Sequence, residues 1–224
     1  MNTSCRRSAL RAASGTPSSA LRAYTREARS VRDRSSAPPG DRPCARGTLV
    51  AGAVASVAKL WGDAGLSTLR EHLPPEARHA LLDEIILPVS WYPETYFETC
   101  NEIVWTALAR GDDAAFDAYI HGSIDHLWSR VHRVLMGLTT PHRLARRAPD
   151  MWRHDHTHGD LDVELRESDG TVRVQGYPYA RGGIMGRGQT EALRYILSHA
   201  RVKEVRATHE LDEHGNFVAM LSWS

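Results

Sequence analysis

The residues best suited to chemistry lie in one short segment rich in histidine. His154, His156 and His158 alternate with acidic and polar residues between Arg153 and Gly159. In an extended segment alternate side chains point to one side, so three imidazoles could reach an ion of the size of zinc. The segment also falls where a helix is expected to end and a strand to begin, and polar residues there commonly meet water. A metal site and a solvated connection therefore both stay open.

Two further patterns resemble known motifs but lack a required residue. In the segment from His209 to His214, the second histidine comes one residue too late for the zinc-protease helix motif. Gly183 and Gly188 have the spacing of a phosphate-binding loop, but Gln189 replaces the lysine that would neutralise the phosphates. We interpret the first pattern as strand and turn, and the second as a flexible connection.

Candidate nucleophiles have no recognisable partners in the sequence. Ser90 and Cys100 could act as nucleophiles in principle, and His121 lies one helical turn from Asp125. Catalytic sets assemble across a fold, so their absence from the linear sequence is not decisive. The residues favour a core thiol and a pair on a helix surface, and hence a protein that is not an enzyme.

Aromatic residues beside prolines form the predicted ligand-binding set. Trp91 and Tyr92 precede one proline, and Tyr177 and Tyr179 enclose another. Such aromatic corners usually serve packing, but they can also rim an apolar pocket.

Charge divides the chain into two parts. Residues 1–46 contain ten arginines against three acids, whereas the rest of the chain carries 18 basic and 24 acidic residues. The acidic body argues against a nucleic-acid-binding domain, which would carry a basic face. Only the amino-terminal part has the charge to hold phosphate.

The amino-terminal part is predicted to be a disordered arm rich in Arg and Ser over residues 1–46, followed by a single domain over residues 47–224. The arm has too few aliphatic residues to offset the entropy of ordering it. Three explanations stay open: a start codon assigned upstream of the true one, an arginine-rich targeting or anchoring arm, and a nucleic-acid-binding tail.

Cysteine usage and hydropathy favour a cytoplasmic protein. Cys5, Cys44 and Cys100 have no metal-like spacing and cannot build a disulfide framework, which suggests a reducing compartment. No continuous apolar run approaches the roughly 20 residues of a membrane-spanning helix. We therefore expect neither a membrane span nor a secretory signal.

Hydrophobic spacing predicts helices from residue 47 to about residue 153. Gly62 should break the first apolar run, and Pro75, Pro93 and Pro141 are placed to start helices. The best amphipathic segment carries Phe116, Ile120, Ile124, Leu127, Val131, Val134 and Leu135.

The hydrophobic period then changes to two, which predicts strands. Residues 161–165 and 172–175 alternate around a turn at Asp169 and Gly170, and a second alternating pair covers residues 205–223. A helix from Gln189 to about His199 should separate the two hairpins. The predicted fold class is α+β, with a helical amino-terminal layer packed on a carboxy-terminal antiparallel sheet built as hairpin, helix, hairpin.

An ordered set of packing residues runs through the chain: the run from Leu87 to Pro93, Thr140 and Pro141 with Leu144 and Trp152 behind them, Gly186 with Ala192 and Leu193, and the final Trp223. This set resembles a family of uncharacterised paralogous proteins found in myxobacteria. The resemblance covers about residue 47 to the end, and it implies no known activity.

That family is distantly similar to the 4-vinyl reductase and haem-NO-binding domains, which hold small ligands between helices and an antiparallel sheet. The resemblance implies a cavity in the same place. Glu210 matches the acid of the vinyl-reductase metal set, but Leu211 and Ala219 stand where its cysteines would be. The Tyr, Ser and Arg motif of the haem-binding members is not recognised, so the cofactor stays unknown.

The leading hypothesis is a cytoplasmic, non-enzymatic sensor or regulatory module that binds a small apolar ligand. The alternatives are a metal-dependent enzyme that uses His154, His156 and His158, and a domain that binds a protein partner. The oligomeric state is open.

Overall fold

The computed structural model describes residues 40–127, 138–180 and 183–224, in which helices and two antiparallel sheets form an α+β fold. The predicted fold class is confirmed. The described helices are α1 (Gly47–His72), α2 (Pro75–Arg78), α3 (Glu94–Ile103), α4 (Asp113–Leu127), α5 (Pro141–Asp155) and α6 (Gly183–Ser198). The strands are β1 (Cys44–Arg46), β2 (Trp91–Pro93), β3 (Asp160–Leu165), β4 (Asp169–Gln175), β5 (Arg206–Leu211) and β6 (Phe217–Ser222).

Helix α1 is broken at Gly62, as the sequence predicts. Gly62 has a φ of 60° and a ψ of −150°, which a residue without a Cβ adopts readily. A Cβ there would meet nothing within 4 Å, so the backbone conformation rather than crowding favours glycine.

Among the described helices, α1 alone is long and apolar enough to cross a membrane by length and composition. A core helix meets the same criteria. In this structure Val50, Ala53 and Val57 of α1 are completely or almost completely buried within the helical core. Part of the apolar surface of α1 is thus used for packing inside the fold, and 33% of its most apolar stretch is buried.

Helices α1 and α4 approach each other closely. A Cβ added to Gly52 would lie 2.7 Å from the carbonyl oxygen of Ser123, and one on Gly122 would lie 2.3 Å from Ser56 Oγ. Ser56 Oγ in turn donates a hydrogen bond to the carbonyl of Tyr119 at 2.8 Å. The close approach of the two helices therefore favours glycine at both positions, because Gly52 meets the Ser123 backbone and Gly122 meets the Ser56 side chain.

Prolines start helices where the sequence predicts. Helices α2 and α5 begin at Pro75 and Pro141, and α3 follows Pro93. Both α2 and α3 continue into a wider π-helical turn, at His79–Asp83 and Val104–Leu108. The predicted extension of α4 through Val131, Val134 and Leu135 lies outside the described residues.

The four-stranded sheet joins the two predicted hairpins edge to edge. Its strand order is β3-β4-β6-β5, and every pairing is antiparallel. One detail differs from the prediction: Asp169 and Gly170 belong to β4, and Gly170 pairs with Leu165. The turn is closed instead by a hydrogen bond from the Arg166 amide to the Asp169 carbonyl at 2.8 Å.

One strand of a small second sheet, β1, lies before the predicted domain boundary at residue 47. Strand β1 pairs with β2, and Cys44 and Ala45 are buried. The described unit therefore includes residues that the sequence assigns to the arm. Residues 1–39 lie outside the described residues, so disorder of the arm stays a prediction.

Helix α6 begins at Gly183, six residues before the start that the sequence predicts. The predicted flexible connection is wrong over this segment. A Cβ on Gly186 would lie 3.1 Å from Nε2 of His209, so this glycine lets α6 pack closely against β5.

Candidate functional site

A large cavity lies between the helices and the four-stranded sheet. Its volume is about 730 Å³, and its lining combines residues of the helical core with residues of the apolar cluster on the sheet. A volume of 300–1,000 Å³ is typical of ligand pockets, whereas close-packed interiors leave few voids larger than a water molecule. The apolar walls include Ile120 and Ile124 of α4, Leu193 and Ile196 of α6, and Leu161 and Val172 of the sheet.

The cavity is open on the side of α5. Arg147, Asp150 and His154 belong to its lining and are also exposed to solvent. Small side chains of α5 and α6, among them Ala148 and Ala192, face the interior space. A ligand could therefore enter past a polar rim and reach apolar walls.

A buried carboxylate lies next to the cavity and contacts His156, one of the lining residues. Glu94, the first residue of α3, is 0% exposed. Its Oε1 accepts a hydrogen bond from the hydroxyl of Tyr177, and its Oε2 lies 3.4 Å from Nδ1 of His156. The helix amino terminus also stabilises negative charge. Together these groups compensate a charge that would be costly to bury alone.

Tyr177 acts as a hydrogen-bond donor in this cluster. Burial, and then the negative charge of Glu94, raise the pKa of Tyr177 well above its ordinary value. The phenol consequently stays protonated at neutral pH and donates a hydrogen bond to Glu94.

His156 connects this cluster to the cavity. Its side chain is 9% exposed, and it belongs to the cavity lining. The ring stacks on Trp152 at a centroid distance of 4.1 Å, and Trp152 Nε1 donates to the carbonyls of His158 and Gly159. The orientation of the imidazole is therefore set by a carboxylate at its edge and an indole on its face.

The structure gives each of the three predicted metal-binding histidines a different partner. His154 Nδ1 lies 2.8 Å from Asp155, His156 faces Glu94, and His158 Nδ1 lies 2.9 Å from Thr157 Oγ1. Within residues 40–127, 138–180 and 183–224, no group of three or more His, Cys, Asp or Glu side chains is placed to hold a metal ion. The metal site stays a prediction that this arrangement does not favour.

The four predicted ligand-binding aromatic residues do not belong to the described lining of the cavity: Trp91, Tyr92, Tyr177 and Tyr179. The hydroxyl of Tyr92 has a structural role instead, because its Oη accepts a hydrogen bond from the Leu87 amide at 3.0 Å. Their role in ligand binding stays a prediction, and the cavity points to other residues.

The thiol considered as a nucleophile is a core residue. Cys100 is 1% exposed, and burial raises its pKa to about 12. Nucleophilic cysteines act as thiolates, so this thiol is not activated in the folded state.

Sequence analysis did not identify Glu94 as part of the site. Its only sequence signal is an acid directly after the proline that starts a helix, and this pattern is common at exposed helix ends. Burial of the carboxylate results from residues distant in sequence, since Tyr177 is 83 positions away.

Comparison with known proteins shows the fold. No protein-family model and no curated protein matches the sequence. Among solved structures, an H-NOX protein from S. oneidensis in the Fe(II) ligation state matches with a TM-score of 0.58 and 13% identity, covering 79% of this chain and 95% of that chain. The chain has an H-NOX-like fold.

Two further H-NOX structures agree with this assignment. The Fe(II) unliganded protein from K. algicida has a TM-score of 0.56 at 11% identity, covering 80% of this chain and 96% of that chain. An oxygen-binding H-NOX domain related to soluble guanylate cyclases has a TM-score of 0.55 at 10% identity, covering 80% and 95%. The resemblance to haem-NO-binding domains is thus confirmed at the level of the fold, which does not by itself carry function.

The described lining does not match the donor set of a haem. A haem needs an axial ligand for its iron and partners for its two propionates. His156 has the chemistry of an iron ligand, since a carboxylate holds its other nitrogen. However, a haem has two propionates, and Arg147 is the one arginine in the described lining to pair with them. We derive no step through a haem.

Proposed function

We propose that this chain is a non-enzymatic sensor or regulatory module that binds a small, largely apolar ligand in the cavity between α4, α5, α6 and the sheet. The cavity of about 730 Å³ is the observation that carries this proposal. An apolar ligand gains free energy by leaving water for apolar walls, and the preformed space limits the cost of rearranging the protein.

The H-NOX-like fold supports the same location for the ligand. The similar structures include Fe(II), Fe(II)NO and oxygen-bound states, and one of them concerns the redox potential of a haem. We propose that this chain uses the corresponding space for a different ligand, because its described lining is apolar and offers one arginine.

Binding of a neutral fluorescent probe tests the proposal. N-phenyl-naphthylamine becomes brightly fluorescent in apolar surroundings, and we expect saturable binding of one probe molecule per chain. Native mass spectrometry of the same sample should show the added mass. Lack of saturable binding would contradict the proposal, and a stoichiometric haem absorption band in the purified protein would identify a haem as the ligand instead.

A substitution that fills the cavity locates the bound probe. Ala192 on α6 lines the cavity, so in Ala192→Phe we expect the affinity for the probe to fall by about ten-fold or more, because the new ring occupies the ligand's space. The matched control is Ala114→Phe on α4, an exposed position outside the lining. Equal loss in both variants would place the probe elsewhere.

The finer assignments rest on the sequence. We propose a cytoplasmic location from the cysteine usage, and kinship with the uncharacterised myxobacterial paralogues from the packing residues around Trp91, Thr140 and Gly186.

A further inference from the structure

We propose that His156 is the polar anchor of the ligand, and that the ligand carries a hydroxyl group at one end of its apolar body. This inference rests on the proposed function, because it names the chemical class that the cavity would select.

The contact with Glu94 decides which ring nitrogen can meet a ligand. A carboxylate accepts hydrogen bonds, so Nδ1 of His156 carries the proton that faces Glu94. In the neutral ring Nε2 is then a hydrogen-bond acceptor. No hydrogen bond joins Nε2 to another described residue, and this atom keeps some accessible surface on a side chain that lines the cavity.

Two other polar groups on the lining are already hydrogen-bonded within the protein. Ser123 Oγ donates to the carbonyl of Tyr119 at 2.9 Å, and Asn101 Nδ2 donates to the carbonyl of Phe97 at 2.7 Å. Both hydrogen bonds go to a carbonyl of the same helix, whereas Nε2 of His156 is available to a bound molecule.

The backbone fixes where His156 lies along the cavity. His156 forms an isolated antiparallel bridge with Ala45. This bridge places the histidine beside the start of α1, whose residues Thr48 and Leu49 belong to the lining.

Nε2 of His156 is complementary to an O–H function, because it can accept a hydrogen bond from a ligand hydroxyl. A ligand that makes this hydrogen bond inside an apolar cavity gains affinity over one that cannot. Alcohols carry this function, whereas the corresponding esters, and carboxylic acids in their ionised form at neutral pH, lack the proton.

Matched ligands of equal chain length test this inference. Decanol, decanoic acid and methyl decanoate are titrated against the protein, with displacement of N-phenyl-naphthylamine as the readout. At pH 7 we expect the alcohol to bind about ten-fold more tightly than the ester, which corresponds to one hydrogen bond, and we expect no such gain for the ionised decanoate, which has no proton to donate.

The same substitution at two neighbouring histidines supplies the test and its control. In His156→Asn the amide nitrogen can keep the contact with Glu94 but nothing remains at the position of Nε2, so the preference over the ester should disappear. His154→Asn changes the exposed histidine of the lining and should keep the preference. Unchanged affinity for the naphthylamine shows that the cavity of each variant is intact.

The outcomes separate the two proposals. If the three ligands bind equally well to the unmodified protein, or if the preference persists in His156→Asn, the anchor is wrong and the apolar cavity still stands. If neither the naphthylamine nor any of the three ligands binds, the proposed function fails and the anchor fails with it.

Discussion

At the scale of single residues, the carboxylate of Glu94 is a group that is costly to bury. It is completely buried, and its compensation comes from Tyr177, His156 and the amino terminus of α3. Breaking such a set by removing one member leaves a charge without its full compensation, which is more damaging than losing an exposed hydrogen bond.

Replacing Tyr177 by phenylalanine should therefore destabilise the fold. The ring and its packing remain, but Glu94 loses a hydrogen-bond donor in a buried position. We expect the free energy of unfolding to fall by about 1–3 kcal/mol, measured by urea denaturation.

Tyr179→Phe is the matched control for this experiment. Tyr179 is the neighbouring tyrosine and is only partly buried, and we expect its substitution to change the free energy of unfolding by less than about 0.5 kcal/mol. If the two variants were equally stable, the buried hydrogen bond between Tyr177 and Glu94 would not be a significant source of stability.

At the scale of helices and strands, an ionic cluster connects α6 to α4. Glu191 of α6 accepts hydrogen bonds from Arg194 at 2.5 and 2.6 Å, and its Oε1 lies 2.5 Å from Nε2 of His121 on α4. Burial by itself raises the pKa of Glu191, but the hydrogen bonds and charges of Arg194 and His121 outweigh it, so the pKa lies below its ordinary value.

The lowered pKa predicts how stability depends on pH. A carboxylate whose pKa is lower in the folded state stabilises the fold above its unfolded pKa of about 4.3. That contribution is lost as the pH falls through the folded pKa. In Glu191→Gln we therefore expect lower stability than in the unmodified protein at pH 7, and a difference that shrinks below about pH 4.

Urea denaturation across this pH range measures the effect, and Glu71→Gln is the control. Glu71 is exposed on α1, so its substitution should leave stability nearly unchanged at both ends of the range. A constant difference between Glu191→Gln and the unmodified protein from pH 7 to pH 3 would contradict the assigned ionic role.

The sequence was most informative about elements with a regular pattern. Alternation predicted the strands of both hairpins, and prolines predicted the starts of α2, α3 and α5. The start of α6 was missed because its glycines resemble a loop when only local conformational preference is considered. In the fold, Gly186 is favoured because His209 approaches the helix closely.

At the scale of the whole molecule, residues before the predicted boundary contribute to the described unit. The carbonyl of Pro43 accepts a hydrogen bond from the Glu94 amide at 3.0 Å, and the Cys44 amide donates to Thr157 Oγ1 at 2.8 Å. Strand β1 thereby connects the start of α3 with the segment that carries His156.

Two truncated chains should differ in stability for this reason. A chain that begins at Gly47 lacks β1, and we expect its free energy of unfolding to be about 2–4 kcal/mol lower than that of a chain that begins at Pro38. Chemical denaturation of the two proteins measures the difference. Equal stability would mean that β1 does not contribute to the fold.

By itself, the sequence determined the fold class and the order of the main helices and of the two hairpins, because these depend on local patterns of hydrophobic spacing and residue type. Only the tertiary structure decided where the cavity lies and which groups surround it. Glu94, Tyr177 and His156 are far apart in the chain, and their contact depends on how the helices and the sheet pack. A void is also a property of packing, since no single residue encodes the space that its neighbours leave empty.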